Sequence, residues 1–267
     1  MIRDITIGQY YPAKSPIHRM DPRTKLFGTL IFIISVFLFH SVAGYAVATL
    51  FLAGMIIISQ VPVKFIFKGL KAIFMILMIT MVFNILLTPG EVLWKIGIFK
   101  ITREGISMAV RMAIRLVYLV IGSSLMTLTT TPNQLTDGLE KSLRPLNKIH
   151  IPVHEIAMMM SIALRFIPIL LEETDKIMKA QIARGADFES GNLIQKVKNM
   201  VPLLVPLFIS AFRRANDLAM AMEARCYHGG DNRTQMKPLR YTRRDHIAYV
   251  VLFVYLAVAI GFRVMGW

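Results

Sequence analysis

Acidic side chains and cysteine are scarce in this sequence. The 267 residues carry 16 Asp and Glu against 31 Lys and Arg, a formal net charge of +15, and one cysteine, Cys226. A single thiol cannot close an internal disulfide, so a disulfide-stapled exported domain is excluded and stability must come from packing. No Gly-x-x-x-x-Gly-Lys-Ser/Thr stretch occurs, which rules out ATP binding by a P-loop. No paired acid and base marks a catalytic centre. His150 and His154, with Glu155 adjacent, have helical i, i+4 spacing, but Pro152 stands between them and a third ligand is missing, so neither a metal site nor a cofactor is expected. His18, His40, His228 and His246 are scattered. Cys226 lies beside Arg225 without a histidine-acid constellation and reads as a small packing residue rather than a nucleophile. The start of the chain stays polar through Lys25, unlike a cleavable leader, so the first apolar run is expected to be retained.

Apolar residues are abundant. They make up 55% of the chain, and the mean hydropathy of +0.56 is too high for an ordinary soluble domain of this length. A bilayer core takes about twenty predominantly apolar residues per helix, and lipid leaves the backbone few alternatives to helix. Residues 26–39 and 45–59 are uncharged apolar runs on either side of a short link, and read as a helical hairpin. Residues 72–87 form a third span closed by Thr88-Pro89-Gly90, residues 105–129 a fourth, and residues 247–264 a fifth. Arg111 and Arg115, near one end of the fourth, either snorkel to headgroups or face a partner, snorkelling being the simpler reading.

Basic residues set the orientation, because short basic loops stay cytoplasmic. Residues 1–25 hold five Lys and Arg, residues 61–71 three, and residues 132–246 seventeen. Five spans with a cytoplasmic N-terminus place all of these inside and the C-terminus outside; the loop 88–104 also holds three, but lies between the third and fourth spans and falls outside. The expected organisation is a cytoplasmic segment 1–25, membrane helices 26–131, cytoplasmic helices 132–230, and a basic linker with a last membrane helix 231–267. Within that linker Arg233–Arg244 adjoins a span, so anionic lipid, not nucleic acid, is the expected partner.

The region 132–230 reads as three helices. Thr130-Thr131-Pro132-Asn133 is a helix-start signal for 134–146. After Pro145 and Pro152 come two long helices, 155–184 with Pro168 inside and 193–226 with Pro202 and Pro206 inside. Apolar stretches such as 157–164 give way to charged turns such as 172–176, a pattern suited to a membrane surface. Met158, Met159, Met160, Met178, Met200, Met220 and Met222 fall here; methionine suits surfaces that accept more than one partner, although any single one of them equally fits a core or lipid contact.

The two long helices end alike. Ala180-Gln181-Ile182-Ala183-Arg184-Gly185 and Ala221-Met222-Glu223-Ala224-Arg225-Cys226 share Ala-x-x-Ala-Arg-small. The small residue lets another backbone approach, and the guanidinium either forks to a partner's carboxylate or neutralises its own helix end. One such arginine reads as a cap; two matching ones point to a two-lobed partner.

With these two motifs, and with Asp21-Pro22-Arg23-Thr24-Lys25 before the first span, the whole chain resembles the transmembrane T component of energy-coupling factor transporters. The resemblance implies an all-α polytopic membrane scaffold with long amphipathic cytoplasmic coupling helices in a prokaryotic cell membrane. It implies two ABC-type ATPase subunits bound at Ala183, Arg184, Gly185, Ala224, Arg225 and Cys226. It further implies a separate substrate-binding S component and uptake of vitamins or transition-metal ions; that component is expected on the apolar faces of helices 155–184 and 193–226, at Met158, Met159 and Leu164. Under this reading the chain is not an enzyme, and hydrolysis belongs to the partner ATPases. The alternative is a permease carrying solute through its own helices, which needs polar groups or broken helices at membrane depth; Asn84, Arg111 and Arg115 are the few on offer.

Overall fold

The computed structural model describes residues 9–39, 41–96, 99–188, 192–230, 236 and 238–264. They fall into two compact units, residues 9–138 with 239–264 and residues 139–238.

In the first unit, α1 (Pro22–Leu38), α2 (Val42–Ser59), α3 (Val63–Leu87), α4 (Arg103–Thr129) and α8 (Arg243–Val264) correspond to the five apolar runs. Local chemistry sets their ends. Asp21 caps α1 by accepting from the Arg23 amide at 2.9 Å, with Pro22 at the first helical position. Ser41 and Thr102 cap α2 and α4 by accepting from the amides of Gly44 and Gly105. The stretch 63–71, expected as a basic link, is the first part of α3: Pro62 starts the helix, and Lys64, Lys68 and Lys71 recur at i, i+4, i+7 along one side. The loop expected after α3 instead holds an antiparallel hairpin, β1 (Val92–Ile96) and β2 (Phe99–Thr102), so the fold is nearly, not wholly, helical.

Length and apolarity qualify α4, α8 over Arg243–Phe262, and α6 (Val153–Ala183) as membrane-crossing helices, with α3 a fourth if its parts Val63–Lys71 and Ile73–Leu87, which meet at 57°, count as one. With 17 and 18 residues, α1 and α2 sit at the low edge of the roughly 17–25 residues a bilayer needs. The count of five is therefore not reproduced by these criteria, and α6, assigned above to the membrane surface, meets them as well as α4 does.

Phe32, Val36, Phe39, Tyr45, Ala48, Leu52, Tyr255 and Ala259 form the core of this unit. Ser35 donates to the Phe32 carbonyl at 2.7 Å, so the Tyr255 hydroxyl, 2.6 Å from Ser35 Oγ, is the donor of that second bond. Arg115 does not snorkel. Its Nη2 donates to the Phe39 carbonyl at α1's end (3.3 Å) and to the Tyr45 hydroxyl on α2 (3.4 Å), bracing the hairpin from α4.

At the opposite ends of these helices lies a polar knot. The buried Asp245 carboxylate accepts from the Asp21 amide (2.8 Å), the Thr242 amide (2.8 Å) and the Thr242 hydroxyl (2.7 Å), joining the starts of α1 and α8. Arg23 forks to Asp21 at 2.8 and 3.0 Å and lies 4.0 Å over the Tyr241 ring. Lys25, one residue before the apolar run, donates to the carbonyls of Thr129 at 2.8 Å and His18 at 3.4 Å. Burial pushes its pKa down to about 8, against the pull of Asp245 and Asp21. His18 is lowered too, by burial and then by Lys25. Its Nε2 lies 2.9 Å from the Tyr11 carbonyl, which can only accept, so Nδ1 accepts from Ser15 Oγ at 2.7 Å and the ring is neutral.

The second unit holds the end of α5 (Pro132–Leu143), a 3-10 helix (Arg144–Ile149), α6, and α7 (Leu193–Glu223). The helix expected over 134–146 stops at Leu143 because Pro145 disfavours helical geometry at Arg144 and begins a 3-10 turn. Thr131 and Gln134 form a reciprocal capping box at 3.3 Å, as the start signal predicts.

The Asp245 knot yields a test of the first unit. Asp245→Ala strands two backbone N–H groups and should cost on the order of 3 kcal/mol, seen as a lower thermal unfolding midpoint in detergent. Asp245→Asn, which keeps one acceptor oxygen, should cost less. Midpoints equal to that of the unsubstituted chain would remove the knot from the stability of the fold.

Candidate functional site

The two helix ends singled out in the sequence share one backbone architecture. At the end of α6 the amides of Arg184, Gly185 and Ala186 donate to the carbonyls of Gln181 (3.0 Å), Ile182 (2.9 Å) and Gln181 (3.0 Å). At the end of α7 the amides of Arg225, Cys226 and Tyr227 donate in the same pattern to Met222 (3.1 Å), Glu223 (2.8 Å) and Met222 (3.0 Å). Both are Schellman motifs, in which one left-handed residue turns the chain back on the carbonyls that the last turn would leave unpaired.

That left-handed residue is Gly185 (φ +86°) in the first and Cys226 (φ +52°) in the second. The sequence pattern suggests a different task for the small residue, to admit another backbone. Within the chain no atom stands within 4 Å of where a Cβ on Gly185 would lie, so the demand that the described residues place on this position is its positive φ. Cys226 adopts the same conformation at a cost of roughly 1–2 kcal/mol, the usual penalty for a side chain there.

Because the backbone closes its own helix ends, the arginines are not needed as caps. Arg184 and Arg225 are exposed, as are Ala183, Gly185, Ala224 and Cys226, and among the described residues neither arginine makes an ion pair or a side-chain hydrogen bond. Two guanidiniums, each one residue before the turn of a long helix, are left to face outward with all five donors free.

The second half of α6 is fastened to the first two thirds of α7. Glu173 accepts from Arg214 at 2.6 Å and from Ser210 at 2.9 Å. Gln181 Nε2 donates to the Pro202 carbonyl at 3.4 Å, the acceptor that Pro206, lacking an N–H, leaves unused. Asn199 Nδ2 donates to the Asp187 carbonyl at 2.7 Å.

Of the three residues assigned to an apolar docking face, Met159 is 57% exposed, while Met158 and Leu164 are half-buried. The open apolar face of α6 runs through Ile156, Met160 and Ile167. A larger one lies on α7, the other long helix expected to carry an apolar docking face, where Val197, Val201, Leu204, Phe208 and Phe212, none of them singled out from the sequence, recur at i+3 and i+4 and are all about half exposed or more. Their spacing was readable, but Pro202 and Pro206 interrupt it. His154 bonds Glu140 at 2.9 Å, while His150 lies in a left-handed turn before Pro152, so the two histidines share no helical turn.

A multi-pass helical membrane protein whose second unit offers two matching arginine-tipped helix ends is the class defined by this geometry. The family described as cobalt transport protein matches residues 13–236. A protein of Clostridium kluyveri named energy-coupling factor transporter transmembrane protein EcfT is 57% identical over 266 residues, 99% of this chain and 98% of that protein. Proteins of the same name from Ruminiclostridium cellulolyticum (56%, covering 96% of each chain) and Bacillus subtilis (49%, covering 98% of this chain and all of that one) are similar throughout. The chain belongs to the family of energy-coupling factor transporter transmembrane proteins.

The motif geometry predicts opposite effects at its two left-handed positions. Gly185→Ala should speed hydrogen exchange of the last amides of α6 about fivefold, the equivalent of about 1 kcal/mol. Cys226→Gly should slow exchange at the end of α7. The same direction of change at both ends would contradict this account.

Proposed function

We propose that this chain is the scaffold and energy-coupling subunit of an ATP-driven uptake transporter. Arg184 and Arg225, with Ala183, Gly185, Ala224 and Cys226 shaping the two turns, engage two ABC-type ATPase subunits, one per helix end. The apolar faces of α6 and α7, including Met158, Met159 and Leu164, hold a membrane S component that binds the substrate, a vitamin or a transition-metal ion. The chain itself is non-catalytic. Residues 1–25 and 132–230 lie on the cytoplasmic side of a prokaryotic cell membrane; residues 26–131 and the end of 231–267 cross it.

The observation carrying this reading is the pair of matched helix ends whose arginines have no partner among the described residues. A guanidinium is costly to bury and specific for planar acceptors, so two identical presentations suit two copies of one acidic or carbonyl-lined surface. Movement of that surface would pass into α6 and α7 together, because Glu173, Arg214 and Gln181 fasten them. The permease reading draws less support: Asn84 is turned back onto the Thr80 carbonyl, and Arg115 is spent on Phe39 and Tyr45.

Co-purification from the native membrane separates the two interfaces. The Arg184→Glu and Arg225→Glu double variant should insert normally, keep the S component, lose both ATPases and stop uptake, since removing one partner of a desolvated charge pair costs about 2–5 kcal/mol. Lysine at both positions should rescue in part. Met159→Asp should do the reverse, shedding the S component and keeping the ATPases. A double variant that transports normally with both ATPases attached would reduce these arginines to ornaments of the helix ends.

Orientation has its own test, because Cys226 is the sole thiol and is exposed. In vesicles from cells that express the chain without the ATPase subunits proposed to cover this turn, a membrane-impermeant maleimide should label it when the vesicles are inverted and not when they are right-side-out. Labelling from the outside would invert the map.

A further inference from the structure

The first unit contains a cavity of about 310 Å3 between α1, α2, α4 and α8, at the lower end of the roughly 300–1,000 Å3 typical of small-molecule sites. Its walls run along the helices. On α1 they extend from Lys25 to Phe32 and on α2 from Ile58 to Phe51; on α4 they extend from Thr129 to Gly122 and on α8 from Arg244 to Leu252. Each wall is eight or nine residues long, so the cavity is a slot about 10–12 Å deep at 1.5 Å per residue, parallel to the helices.

Its chemistry is graded. The cationic lining, Lys25 and Arg244, sits at one end with Thr24 and Thr129, and beyond it the walls are apolar apart from the hydroxyls of Thr29 and Tyr249. At the polar end the charges do not balance. Asp21 is engaged by Arg23, and Asp245 by backbone and hydroxyl donors, whereas neither Lys25 nor Arg244 has a carboxylate within ion-pair distance among the described residues. Lys25 is 7% exposed and Arg244 is open at the rim, beside Arg243. A buried ammonium satisfied only by carbonyls gains from an anion placed at the mouth. An apolar slot with an anion-seeking mouth matches an acyl chain carrying a negative headgroup, and basic pockets between membrane helices are a known way of holding one.

We propose that this slot is a binding site for one anionic phospholipid, with an acyl chain between Phe32, Phe51 and Leu252 and the phosphate at Arg244 and Lys25. Under the orientation proposed above the lipid comes from the cytoplasmic leaflet. It seats where α1, α4 and α8 begin or end together, and so ties the same three helices that the Asp245 knot joins. A zwitterionic lipid would bring a quaternary ammonium against Lys25 and Arg244 together with its phosphate, and a free phosphate would leave the slot empty.

The test uses the purified full chain in nanodiscs of phosphatidylcholine with and without phosphatidylglycerol, followed by stringent delipidation and mass spectrometry of what stays bound. The expected result is about one retained phosphatidylglycerol per chain, in preference to phosphatidylcholine. Arg244→Gln, at an exposed position that should not disturb folding, should lower that retention about fivefold, the effect of one cation near an anionic headgroup. Met126→Trp, which fills the slot, should abolish it. Equal retention of the two lipids, or an Arg244→Gln chain that retains phosphatidylglycerol as the unsubstituted chain does, would overturn the proposal. So would retention of added oleate with no retained phosphatidylglycerol, which would assign the slot to free fatty acids. None of these readouts depends on the ATPases or the S component, so the outcome is independent of the proposed coupling function.

Discussion

A carboxylate taken out of water must have its lone pairs met by donors, and Asp245 meets that requirement with the amides of two segments far apart in sequence. Its position near the start of α8 fixes where the last membrane helix begins relative to the first. Arg23 and Tyr241 close over the same place, and Lys25 carries the link to the end of α4. Three helices whose apolar flanks would slide against each other with little preference are thereby held in one axial register. Among helices in lipid this matters more than in water, since hydrophobic burial does little to choose between neighbouring registers there.

The second unit solves the opposite problem, leaving polar groups available instead of consuming them. Its two long helices end on backbone-to-backbone bonds that use no side chain, which leaves both arginines exposed. The inward-facing polar groups are spent between α6 and α7 instead, at Glu173, Ser210 and Arg214. Local satisfaction at the tips and mutual satisfaction between the shafts describe two helices joined to each other and left open at their ends.

Much of this was legible in the sequence. The apolar runs, the Thr131 start signal, the breaks at Pro89 and Pro152 and the long helices before Gly185 and Cys226 all follow from local rules that the structure obeys within a few residues. The repeated Ala-Arg-small pattern was legible as a pattern but not in its cause, because a left-handed φ cannot be told from a need for small size when glycine and cysteine satisfy either. The role of Arg115 was hidden for a different reason: its partners are a carbonyl and a hydroxyl on other helices, and carbonyls leave no trace in composition. The same holds for the knot at Asp21-Pro22-Arg23-Thr24-Lys25. Its residues carry part of the family resemblance, yet the partner that explains them, Asp245, lies more than two hundred positions away.

Pro202 and Pro206 cut two rungs from the hydrogen-bond ladder of α7, and one of the missing rungs is supplied by the side-chain amide of Gln181. That makes part of α7's backbone pairing a property of α6. Parted from α6, α7 would leave the Pro202 carbonyl without that donor, so a gap in one helix's ladder is mended from its neighbour.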